Sequence, residues 1–402
     1  MEVSSEVAHR DVDGDGRDDA VFRVDTATLR GGVLTAEAAR VVVMGRLGDD
    51  EVSGWDVVLE AGAAHALLPE PTGPWAVGTV IGQHLSDERS DPLVEGDRAR
   101  TVPLQLFYPA ETPPGAQPGP VYLNQAEASL AAGWAALADD HWDRVLGHAI
   151  SGAPVAYTPP SQPFPTVLLA PGEGSLPFHA ALAVELASRG VFVVGLNPPF
   201  SGLPVLLPDG TDATAPTIEG PVKVADVAAA WVGDAVELAA EAEGWAQDEL
   251  PFRDRVTSAV GYAGVGLGGT VAAEICAAGT GVTACADVAG TPLDQTIEHG
   301  LTLPLLVVTT GGALHAEPAW AALLDRSLGR TWAADLPDAG PDSLHDLPLH
   351  GVLVDGRALD TGTAPPDETV IRLATVLEDF FRSELLGEEA AFLEAGGDDG
   401  VT

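Results

Sequence analysis

Residues Arg255 to Tyr262 read as a buried strand, and Thr270 to Ile275 read as the opening turns of a helix. Between them lies only Ala263-Gly264-Val265-Gly266-Leu267-Gly268-Gly269. Glycine accepts positive φ and lets other backbone pass close by, so this turn can reverse a strand into a helix within a few residues. A strand feeding straight into a helix must cross back to pair in parallel. This one stretch therefore commits the chain around it to an α/β architecture.

The alternation begins at Pro71. Trp75 to Ile81 and Thr101 to Tyr108 read as an opening antiparallel pair. Residues 113–165 then intervene as a cap-like insertion bounded by proline, with helical pieces around Gln125 to Ala138 and Trp142 to His148. Strands follow at Thr166 to Leu169, Val191 to Leu196, Val282 to Asp287, Leu303 to Thr309 and Thr331 to Asp335. Helices are expected at Phe178 to Arg189, Val222 to Glu243, Pro318 to Ser327 and Thr369 to Leu386. Strands separated by helices predict an α/β fold with a mostly parallel central sheet and helices on both faces. The expected division is 1–70 as a small β-type segment, 71–387 as the α/β domain and 388–402 as an acidic mobile tail.

The 402 residues are 46% hydrophobic, enough for a large core. Against 60 acidic residues stand 19 basic ones, of which only Lys223 is lysine, for a formal charge of −41. Such a surface repels nucleic acid and anionic membrane. It reads as a solvated, salt-adapted exterior. No run approaches the ~20 apolar residues of a membrane span. Met1 to Arg10 has no apolar export core. Cys276 and Cys285 sit in apolar runs and are expected to be buried free thiols, with a single bridge as the alternative.

Near the amino terminus, Asp11, Asp13, Asp15 and Asp19 alternate along one short loop, with Gly16 where a sharp turn is needed. Converging carboxylates suit calcium. Phe22 stands where an EF-hand would place glutamate, so the loop is closer to the calcium loops of FG-GAP-type repeats. A solvated acidic turn is the alternative. Calcium would suit a secreted or periplasmic protein, whereas the missing export core suits a cytoplasmic one. No organic cofactor is expected.

Several segments, in order, resemble the platelet-activating-factor acetylhydrolase-like branch of the α/β-hydrolases, akin to dienelactone hydrolases and lipases. They are Pro74 to Thr79, Arg98 to Ala110 with its Phe107-Tyr108-Pro109-Ala110 ending, Phe164 to Gly172, Leu182 to Gly190, and Phe380 to Gly387. The resemblance implies an esterase-like α/β-hydrolase fold over about residues 72–387, with a small apolar or ester-like ligand. It also implies a G-x-S-x-G nucleophile elbow, for which this chain has Gly264-Val265-Gly266-Leu267-Gly268. Glycine replaces the serine. The acid's position holds Ala289, and the histidine's, five residues before Asp346, holds Pro341. The oxyanion loop reads Pro171-Gly172 where His-Gly is common. Hydrolysis by this fold needs hydroxyl, imidazole and carboxylate together, so a ligand-binding or structural pseudoenzyme is expected.

Replacement groups are nearby in sequence. Ser175 is the nearest hydroxyl, though a serine there also suits a helix cap. Asp287 shares a strand face with Ala289, and His345 lies in the expected histidine loop. Hydrolysis through these three is the alternative. Gly172, Gly264, Val265, Leu267 and His315 are expected to line the ligand site, His315 because it follows a strand's carboxyl end. A second alternative reads Gly264, Gly266 and Gly269 as a phosphate-binding G-x-G-x-x-G with Asp287 as the ribose acid.

Overall fold

The computed structural model describes residues 66–94, 96–112, 122, 141–142, 145–172, 176–200, 205, 207, 213, 224–247, 251–279, 281–313, 318–350, 353–354 and 357–394, with the backbone of four strands nearer the amino terminus. Those four strands form two antiparallel hairpins, Val7–Arg10 with Asp19–Phe22 and Ala38–Leu47 with Asp50–Leu59. Asp11, Asp13 and Asp15 of the expected calcium loop lie outside the described residues, and Asp19 is described in backbone only. Among the described residues no cluster of three or more His, Cys, Asp or Glu is arranged to hold a metal.

The main sheet has eight long strands: β1 (Ala76–Ser90), β2 (Ala99–Ala110), β3 (Phe164–Ala170), β4 (Phe192–Leu196), β5 (Val256–Val265), β6 (Ala284–Val288), β7 (Leu305–Thr310) and β8 (Thr331–Leu336). Their spatial order is β8-β7-β6-β5-β3-β4-β2-β1, with the short strand Ile150–Ser151 beyond β1. From β3 onward every neighbouring pair is parallel; β1, β2 and β4 are joined antiparallel. The inner strands are buried on both faces. Every residue of β3, β4, β6 and β7 is buried, and runs such as Val-Leu-Leu-Ala and Leu-Leu-Val-Val carry no polar alternation.

Helices cover both faces. They are α1 (Ala180–Ser188), α2 (Val224–Gln247), α3 (Leu267–Ala278), α4 (Asp294–His299), α5 (Pro318–Arg326) and α6 (Pro366–Leu386). Val227, Trp231, Ala235, Leu238 and Ala242 form the buried stripe of α2 on one side, and Leu373, Leu377, Phe380 and Phe381 form that of α6 on the other. No helix among the described residues is long and apolar enough to cross a membrane.

Two expectations fail on tertiary contacts. The helix expected over 142–148 is replaced at Val145–Leu146 by a short strand, paired in parallel with Ala66–Leu67. The helix expected around Gln125 to Ala138 lies outside the described residues. Cys276 and Cys285 are not free thiols but form a disulfide, with their Cα atoms 6.1 Å apart. The crossover from α3 into β6 brings the two positions side by side, a juxtaposition that their separation along the chain does not reveal.

The β1–β2 hairpin is longer than its apolar patterning suggests, because its far end is held on α2 by ionic contacts. Arg100 is completely buried and bonds Asp91 at 2.8 Å and Asp234 at 2.7 Å. Arg89 joins Asp234 to Glu237, and His84 sits between Glu237 at 2.7 Å and Glu241 at 2.6 Å. Burial opposes the charge on His84, but hydrogen bonds to Glu241 and Glu237 outweigh it and raise the imidazole's pKa. Removing one partner of such a buried pair leaves the other charge without compensation.

Candidate functional site

The glycine turn is built by steric exclusion. A Cβ on Gly264 would lie 1.9 Å from the carbonyl oxygen of Gly268, and one on Gly268 would lie 2.7 Å from the carbonyl oxygens of Ala170 and Pro171. At Gly269 it would meet the Asp287 carboxyl at 2.5 Å. These three positions are glycine because β5, β3, β6 and α3 converge there with no room for a side chain.

Gly266 is different. It sits between β5 and α3 at φ 54° and ψ −115°. Its N–H donates to Val288 at 2.8 Å, and its carbonyl accepts from Thr270 at 3.1 Å. A Cβ there would touch only the Gly172 Cα, at an ordinary 3.5 Å. The turn thus carries its central residue at positive φ between a strand and a helix, with space for a side chain that glycine lacks. Leu267 opens α3, so its amide is one of the orphan N–H groups of a helix start.

Beside Gly266, Gly172 follows β3, and its N–H donates to His179 Nε2 at 3.4 Å. His179 is buried and ends a 3-10 turn, Leu176–His179, that leads into α1. Sequence reasoning missed this residue. The signal available was an imidazole just before a helix, close downstream of Pro171-Gly172, and nothing local says that it folds back onto Gly172. Glu173 and Ser175 lie outside the described residues, as does His315.

Ala289 takes φ 53°, one of only three non-glycine residues with positive φ among those described. Its N–H donates to Val308 at 2.8 Å, which pins the turn at the end of β6. A left-handed alanine costs ~1–2 kcal/mol, and glycine would return part of that gain as extra chain entropy when unfolded. Ala289→Gly is therefore expected to stabilise the protein by about 0.5–1 kcal/mol, read as a higher urea midpoint at unchanged slope.

Asp287 lies under the first turn of α3, fully buried, and its Oδ1 accepts from the Gly290 N–H at 2.7 Å. Its Oδ2 has no hydrogen-bond partner. Burial raises this carboxyl to about 8 against the single opposing bond from Gly290. So enclosed, the carboxyl is not placed to bond a ribose hydroxyl.

Pro341 opens a 3-10 turn, Pro341–Leu344, in the loop after β8. It offers no proton acceptor. His345 follows in the same loop, with Nε2 3.9 Å from Asp342, and its Nδ1 is buried without a partner. Burial lowers its pKa despite the charge of Asp342. Asp346, fully buried, accepts from the Ala181 N–H and the Tyr122 hydroxyl, each at 3.1 Å. Burial lifts it to about 7 against those bonds. It caps the start of α1 and so fixes the direction in which α1 leaves His179.

The structure thus brings Gly172, Val265, Gly266 and His179 together at the carboxyl ends of β3 and β5. It places Asp287 beneath α3 and pairs His345 with Asp342.

No protein-family model matches the chain, and no curated protein matches it by sequence. Among solved structures, it is similar to a ferulic acid esterase from Streptomyces cinnamoneus, with a TM-score of 0.64 and 21% sequence identity over 81% of this chain and 95% of that one. That likeness and the strand order agree with the expected architecture. The chain has the α/β-hydrolase fold.

Proposed function

We propose that this chain is a pseudoenzyme of the platelet-activating-factor acetylhydrolase-like branch, one that binds a small apolar or ester-like ligand at the sheet rim around Gly266. The observation that carries the reading is Gly266. It holds the elbow conformation, nothing blocks a side chain there, and none is present. Ala289 and Pro341 remove the acid and the base in the same way. The similar structure being a ferulic acid esterase supports an ester-like ligand.

Short p-nitrophenyl esters and a feruloyl ester are expected to turn over within the ~10³–10⁴-fold over water that binding and oxyanion donors give without a triad. A fluorophosphonate should leave the protein unlabelled. An intact ester at about 100 times its Kd should stabilise the fold by about 2.7 kcal/mol, and Gly266→Trp should abolish that shift. Hydrolysis by relocated groups is the competing reading, favoured by the His179 imidazole beside Gly172. Covalent labelling of a serine, or efficient turnover that is lost in His179→Ala, would overturn the pseudoenzyme reading.

A further inference from the structure

A cavity of about 260 Å³ opens at the amino-terminal end of β3, at the opposite end of the sheet from the Gly266 turn. Its apolar walls include Trp75, set edge-on to Phe164 at 5.6 Å, together with Phe164 itself and Leu386. Its polar lining includes Arg382 and Glu388 as well as Thr158 and Gln162. Glu388 takes the Nε and Nη2 donors of Arg382, each at 2.8 Å. No hydrogen bond to Arg382 Nη1 or to the Trp75 indole N–H is formed among the described residues. Both nitrogens lie beside Gly190. A Cβ on Gly190 would come 3.5 Å from Trp75 Nε1 and 3.8 Å from Arg382 Nη1. Gly190, at φ +96°, puts no side chain between them.

We propose that this cavity is a binding site for a small uncharged carbonyl compound with an apolar body, of the size of one aromatic ring bearing an amide or ester. Its oxygen accepts from Trp75 Nε1–H and Arg382 Nη1–H, and its body lies against Phe164 and Leu386. Two unpaired donors beside a partly apolar wall select for an acceptor, because a ligand without one leaves them dry and unpaired. The acceptor is neutral because Glu388 already matches the charge of Arg382 and the chain carries a net −41. An added carboxylate would face both. The site is separate from the Gly266 rim and does not depend on how that rim functions.

Benzamide and sodium benzoate test the proposal, followed through the indole N–H resonances of ¹⁵N-labelled protein. Benzamide is expected to shift one indole resonance saturably in the millimolar range, the one missing from Trp75→Phe. Benzoate should bind about tenfold more weakly, a difference of about 1.4 kcal/mol. Glu388→Gln, an exposed change with little folding risk, should close most of that gap. Three results would overturn the site: no indole shift at about 50 mM benzamide, well past the range open to so small a ligand; a shift that persists in folded Trp75→Phe; or benzoate binding the unaltered protein as tightly as benzamide.

Discussion

Gly264→Ala is expected to cost about 4 kcal/mol and to lower the yield of folded protein, whereas Gly266→Ala should cost only about 1 kcal/mol. The two glycines are two residues apart in the same turn, yet their surroundings differ. The added methyl at Gly264 would lie 1.9 Å from the Gly268 oxygen and 2.0 Å from its carbonyl carbon. Those atoms are backbone in the first turn of α3, so relief requires moving the helix itself, and packed interiors resist such shifts. At Gly266 the nearest atom is 3.5 Å away, which leaves only the positive-φ penalty. Urea unfolding of both variants reads the contrast. Equal losses would mean that α3 does not approach β5 as closely as described.

Asp287→Asn is expected to stabilise the protein at pH 8 by several kcal/mol, on the order of 3–5 kcal/mol, with a much smaller gain at pH 5. Burial raises this carboxyl from 3.8 to about 8. The folded state therefore keeps a proton that the unfolded chain releases as pH rises past 4. The contribution of Asp287 to stability is complete below that point and falls away as pH climbs toward 8. The start of α3 favours the ionised form, but enclosure outweighs it. Asparagine keeps an acceptor for the Gly290 N–H and never ionises. Unfolding midpoints at pH 5 and pH 8 for both proteins isolate this one group. Parallel pH dependences would show that the carboxyl is not the buried acid described.

Much of the fold was legible because its signals are local. Strands such as Val167 to Leu169 and Val191 to Leu196 show continuous apolar runs, and Gly190 and Gly387 mark helix ends with their positive φ. The strand–turn–helix around Gly266 was readable from glycine spacing alone. Where an interaction joins distant parts of the chain, the pattern was silent. Arg100, Asp91 and Asp234 look like three ordinary surface charges, and only the hairpin lying across α2 buries them together. The cysteine pair is a smaller case of the same kind. His345 was readable as a loop histidine, but not its partner, because a 3-10 turn brings Asp342 under it.

By itself, the sequence determined the class of fold and the strand–turn–helix with glycine at its centre, Gly266, since both rest on residue type in a local pattern. The tertiary structure alone decided which groups surround that place. It put His179 against Gly172 and set Asp287 under α3. It also brought Trp75 and Arg382 together beside Gly190 at the far end of the sheet. Local patterning follows from the steric and hydrophobic preferences of neighbouring residues. Convergence follows from how strands and helices pack, and packing brings together residues that share no stretch of chain.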